Sequence, residues 1–91
     1  MRLCDEDPGL ELVRAGDHFR LRILDESVVE VPLLRDHARE IIKGGTVQLS
    51  YPGIYCRIDG QGEQVKITYA LRSHPLTCHV PLESFLQAVQ E

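Results

Sequence analysis

From Thr46 to Val80 apolar and polar residues alternate almost without a break, the period of strands that bury one face. Turn signals at Pro52-Gly53, at Asp59-Gly60-Gln61-Gly62 and at Arg72-Ser73-His74-Pro75 divide this stretch into four strands. Pairing Tyr51 with Ile54 sets Leu49 against Cys56 and Val47 against Ile58. Closing the second turn sets Cys56 against Val65 and Ile54 against Ile67. Closing the third sets Leu71 against Leu76, Tyr69 against Cys78 and Ile67 against Val80. Every pairing keeps the apolar residues on one face, whereas a slip of one residue would turn a whole apolar set into water. An L-Pro-Gly pair twists against a tight two-residue hairpin, so a widened or bulged turn is expected at Pro52.

The preceding stretch carries the same alternation in shorter pieces. Leu10 to Val13 reads as a strand turned back by Ala15-Gly16-Asp17, with Leu12 facing Phe19 and Leu10 facing Leu21. His18 to Leu24 places Phe19, Leu21 and Ile23 on one face and His18, Arg20 and Arg22 on the other. After Asp25-Glu26-Ser27, Val28 to Val31 sets Val29 against Ile23, Val31 against Leu21 and Glu30 against Arg22, a favourable cross-strand pair.

The period then changes to that of a helix. Pro32 suits a first turn, Leu33 to Lys43 offers Leu34, Ala38, Ile41 and Ile42 as a buried stripe, and Gly44-Gly45 ends it. A second helix follows Val80-Pro81-Leu82, with Leu82, Phe85, Leu86 and Val89 at i, i+3, i+4 and i+7. The order is three strands, helix, four strands, helix. The fold class expected is α+β: an antiparallel sheet with the two helices packed on one face. Both halves pass from strand to helix through Val-Pro-Leu. The two helical stripes stand one residue out of phase on that alignment, so the motif reads as a shared way of turning rather than an internal repeat.

Length, charge and cysteines narrow the class. Ninety-one residues make a single domain, 1–91, in which the acidic stretch 1–8 is expected to be a frayed lead-in. No apolar run approaches the roughly 20 residues of a membrane helix, and the first residues lack the apolar core of a signal peptide. The chain therefore reads as cytoplasmic, with no membrane partner. Its net charge of −4 argues mildly against nucleic acid as an obligatory partner. Of the three cysteines, Cys56 and Cys78 fall at least about 9 Å apart from strand spacing in the register above, beyond the reach of a disulfide. All three are expected as free thiols, with Cys4 exposed.

No catalytic or cofactor signature emerges. His74, Cys78, His79 and Cys56 are the candidates for a metal cluster, but Cys78 and His79 are strand neighbours and point to opposite faces. His37 with Asp36 and Glu40 lacks a nucleophile. Ser50, Ser73 and Ser84 lack an elbow or a nearby His motif, and Gly60-x-Gly62 sits in a hairpin tip rather than opening a helix. The expectation is a non-enzyme without cofactor or metal.

What stands out is an outward face with Tyr55, Arg57 and Lys66 on adjacent strands and Arg20 and Arg22 extending it, while most acids fall in the lead-in, turns and helices. Such a face suits single-stranded nucleic acid, with cations on phosphates and the tyrosine under a base. In element order the Thr46–Glu91 half resembles small single-stranded-DNA-binding transcription coactivators, which carry a curved four-stranded sheet followed by a helix. Charges on an exposed sheet face also simply keep it soluble and block edge pairing. The leading expectation is a small non-enzymatic interaction module that self-associates, with single-stranded nucleic-acid binding as the alternative. A homo-oligomer is expected because no Pro or Lys guards the strand Thr46–Tyr51.

Overall fold

The structure, a computed structural model, describes residues 1–5, 9–25, 27–71 and 74–90. Among them eight strands and two helices form, a helix after each run of four strands: β1 (Arg2–Cys4), β2 (Gly9–Ala15), β3 (His18–Leu24), β4 (Val28–Leu33), α1 (Arg35–Ile42), β5 (Thr46–Tyr51), β6 (Ile54–Gln61), β7 (Gln64–Leu71), β8 (His74–Pro81) and α2 (Leu82–Gln90). They form two antiparallel meanders, β1-β2-β3-β4 and β5-β6-β7-β8. The α+β expectation of one sheet with both helices on one face is thereby corrected. Strand makes up 63% of the described residues, so this is a sheet-dominated fold with two short helices. Each helix closes one run of four strands and reaches the other sheet or helix. α1 follows the first sheet and contacts β5 and β6 of the second. α2 follows the second sheet and contacts β2 of the first as well as β7 and β8, and the two helices touch each other. Inner-face residues of both sheets join Ile41, Phe85 and Ala88 in one core.

Two registers agree with the sequence reading residue for residue: Tyr51↔Ile54 through Val47↔Ile58, and Ile23↔Val29 through Leu21↔Val31. The widened turn expected at Pro52 does not form. Pro52-Gly53 closes in two residues with Gly53 at φ 80°, the left-handed value that the second central position of a type II turn requires. Three other registers differ. Cys56 faces Tyr69 rather than Val65, Ile67 faces Cys78 rather than Val80, and Leu12 faces Leu21 rather than Phe19. Each shift is an even number of residues, which leaves every apolar side chain on its face. Alternation therefore excludes odd slips and is silent on even ones. For β6 and β7 the turn lies later than expected, because Asp59 and Gly60 remain in strand and only Gly62-Glu63 reverses the chain. The turn expected over Arg72 to Pro75 involves Arg72 and Ser73, which lie outside the described residues.

Helix boundaries also move. Pro32 lies within β4 rather than opening α1, and Leu34, assigned to the buried stripe, is 49% exposed as the N-cap. The lead-in is corrected as well, since Arg2–Cys4 pairs with β2; Glu6, Asp7 and Pro8 lie outside the described residues.

The two halves repeat one unit of four strands and a helix. Gly16 and Gly62 turn the second hairpin edge of each unit at φ 68° and 72°, and they stand 46 positions apart. At that spacing Leu10, Leu12, Phe19, Leu21 and Ile23 match Cys56, Ile58, Val65, Ile67 and Tyr69, all buried. One residue further on, Val31, Leu33, Ala38 and Ile41 match Cys78, Val80, Phe85 and Ala88, again all buried. The helical stripes are therefore in phase. The Val-Pro-Leu segments that suggested otherwise are two positions out of structural alignment, since Val31 opposes Leu21 while its counterpart opposite Ile67 is Cys78.

Close approach between the units rests on Gly60. A Cβ there would run into the Ile41 carbonyl oxygen and lie 2.8 Å from the Gly44 Cα, and the Gly60 N–H donates to the Gly45 carbonyl at 2.9 Å. The residue read as a turn signal is instead where the end of α1 lies on β6.

Candidate functional site

Strand parity places Tyr55 and Arg57 of β6 and Lys66 of β7 on the outer face of the second sheet, and the three line one depression with Thr46, Asp59 and Thr68. Within it, Arg57 lies opposite Thr68 and Lys66 opposite Asp59; Tyr55 lies opposite Ala70, not Lys66 as the sequence register had it. Asp59 sits at the centre of the cations. Its Oδ1 accepts from Thr46 Oγ1 at 2.7 Å and from Arg57 Nε at 3.2 Å, and its side chain is only 14% exposed. The Thr46 hydroxyl, and after it the Arg57 guanidinium, hold the Asp59 carboxyl below its usual value against the effect of partial burial. The same hydrogen bond to Asp59 holds the Arg57 guanidinium above its ordinary value. Arg57 is thus paired with Asp59 and Lys66 stands opposite the same carboxylate, so one of the two positive charges is answered within the depression. Asp59 was assigned to a turn by sequence. The signal that could have found it is its spacing of two from Arg57, which puts both on one face if the strand continues.

Arg20 and Arg22 are not brought to this depression. They stand on β3 in the other sheet, where Arg20 Nη1 lies 3.5 Å from Glu30 and Arg22 Nη1 donates to Glu11 at 2.8 Å. Glu30 faces Arg22 in register as expected, yet the ion pairs run diagonally and to β2 instead. Both arginines are committed to acids of their own sheet.

The remaining candidates resolve into structural roles. The Leu34 N–H donates to His37 Nδ1 at 3.2 Å and Asp36 pairs with Arg39 at 3.2 Å, so both serve the helix. The expectation of three free thiols is corrected: Cys4 is buried and disulfide-bonded to Cys78, with their Cα atoms 6.3 Å apart. The reason is β1, whose pairing with β2 carries Cys4 alongside β8. Cys56 is free and buried, and burial pushes its thiol up to about 12. Among the described residues no three His, Cys, Asp or Glu side chains gather as a metal site, and no helix is long and apolar enough to cross a membrane.

The four sheet edges differ in how they are guarded. β4 carries Glu30 and Pro32. β8 carries Pro75 and Pro81 and is bonded to β1 through Cys78. β1 has three residues and a register shift between Arg2 and Cys4. β5 has six residues, no charge and no proline, and among the described residues its only strand partner is β6. Its inner residues Val47 and Leu49 are buried, its outer residues Thr46, Gln48 and Ser50 are exposed, and Tyr51 at its end is 41% exposed.

Comparison with known protein families, with characterised proteins and with solved structures finds no match for this chain.

Proposed function

We propose that the protein is a small non-enzymatic interaction module that self-associates by pairing β5 with β5 of a second copy. The observation that carries this reading is the contrast among edges, because an edge strand without charge or proline is a template for another chain. Antiparallel self-pairing centred on Gln48 or on Leu49 keeps buried faces together and exposed faces together. Centred on Leu49, it also lays Tyr51 beside Val47 of the second copy and joins the two second sheets into one. Nothing on β5 opposes this with like charge.

Sedimentation equilibrium tests it. The wild type should approach twice its 10.3 kDa as concentration rises. Gln48→Lys should stay at the monomer mass, because either pairing puts two lysines opposite or diagonal to one another. Gln48 is exposed, so at concentrations low enough for the wild type to be monomeric the variant should share its unfolding midpoint. A wild type of 10.3 kDa at every concentration removes the reading.

A second reading rests on the shared depression of Tyr55, Arg57 and Lys66: weak binding of single-stranded nucleic acid. Asp59 limits it, so affinity should be low and fall with salt as phosphate contacts release counterions. Anisotropy of a labelled oligonucleotide should show Tyr55→Ala weakening binding by about 1–3 kcal/mol, the worth of a stacked base, and Arg57→Glu abolishing it. Unchanged anisotropy at low salt would dispose of this reading. The two readings separate by sign, since screening eases the mutual repulsion of copies carrying −4 each and so strengthens self-association.

A further inference from the structure

The disulfide joins the edges of two different sheets, Cys4 on β1 and Cys78 on β8. In the repeated unit the matching places are filled by Leu49 and Val31, both buried. The fold therefore fills the matching positions with hydrocarbon, and burial alone does not call for sulfur at Cys4 and Cys78. The other ties of β1 are short, with Leu3 packed on the edge of the core. The strand is three residues long, among the described residues it pairs only with β2, and that pairing shifts register within it. Beside the pairing, Met1 and Leu12 exchange two hydrogen bonds, the Leu12 N–H donating to the Met1 carbonyl at 2.9 Å and the Met1 ammonium to the Leu12 carbonyl at 2.7 Å. Among the described residues no backbone hydrogen bond links β1 to β8; Cys78 Sγ lies 3.7 Å from the Leu3 carbonyl, and the covalent bond completes the contact.

We propose that Cys4–Cys78 is a reversible redox site, a clasp that a dithiol reductant opens, releasing β1 and uncovering the outer edge of β2. In the step itself a reductant thiolate attacks one sulfur, the protein S–S bond breaks, and a mixed disulfide forms. The reductant's second thiol then attacks that mixed disulfide and leaves as a cyclic disulfide. Two electrons and two protons pass to the protein, which ends with thiols at Cys4 and Cys78. Both cysteines are under a tenth exposed, so attack follows local opening of β1, the kind of sub-global opening that a three-residue edge strand permits. Cys56, buried in β6, takes no part.

Hydrogen exchange of the full chain before and after dithiothreitol tests this, with the mass confirming a gain of two hydrogens. Exchange should rise about tenfold or more in β1 and along β2, stay unchanged in β6 and β7, and return on reoxidation. The double variant Cys4→Ser/Cys78→Ser, with Cys56 intact, should reproduce the reduced pattern without reductant. Reduction with no change in β1 and β2 would overturn the proposal, because the bond would then be incidental to β1. Loss of protection throughout the chain would overturn it too, marking the bond as a staple of the whole fold. So would failure of dithiothreitol to reduce the native chain, or a double variant that exchanges like the oxidised protein.

Discussion

Phe85→Ala should lower the unfolding free energy by about 3–5 kcal/mol, among the largest losses any single truncation of this chain produces. Phe85 is fully buried on α2, whose contacts reach β2 in the first sheet and β7 and β8 in the second. Its counterpart on α1 is Ala38, so the core is filled asymmetrically: one large ring where the other unit has a methyl. Removing the ring leaves a cavity between elements that are already fixed by their sheets, and those sheets cannot collapse to fill it. Urea unfolding monitored by circular dichroism reads the loss as a lower midpoint with an unchanged slope. A loss below about 1 kcal/mol would mean that α2 can settle into the space and is not pinned from both sides.

Gly60→Ala should cost about 2–4 kcal/mol, from overpacking plus one lost backbone hydrogen bond. The atoms that an added methyl would meet are backbone: the Ile41 carbonyl and the Gly44 Cα. Neither can rotate aside, so α1 must lift from β6 and the Gly60–Gly45 hydrogen bond must lengthen. Gly45→Ala provides the contrast. Its methyl would meet only the Glu40 side chain, which can swing into solvent, so its midpoint should fall distinctly less. Equal losses in the two variants would show that backbone entropy, not close approach, governs both positions.

Much of this architecture was written in the alternation of the chain, and the parts that were not share a physical reason. Buried and exposed faces follow from parity, and most inner residues of β5 to β8 lie buried as read, Tyr51 at the end of β5 being 41% exposed. Hairpin closure follows from turn residues, and these were ambiguous. Pro52-Gly53 fixed its register by lack of room, whereas Gly60 and Gly62 both looked like turn residues and only Gly62 turns. Glycine for close approach and glycine for positive φ are the same letter. β1 was missed because three residues carry too little periodicity, and with it went the neighbour that brings Cys4 to Cys78. The division into two sheets was hidden for a related reason. Alternation describes how a strand buries a face and says nothing of which sheet it belongs to. At the candidate site, the outward direction of Tyr55, Arg57 and Lys66 was legible. The neutralising position of Asp59 was not, because Asp59 and Gly60 read as turn residues although β6 runs on through both.

The claim that matters most for function is that β5 is the edge through which copies join. Amide-resolved hydrogen exchange during serial dilution of the wild type tests it most directly. If β5 is the joint, amides along Thr46–Tyr51 lose protection on dilution while those of β4 and β8 hold theirs, since only β5 exchanges a strand partner for water. Protection along β5 that is independent of concentration, or a dilution-dependent change confined to β4 or β8, would contradict it.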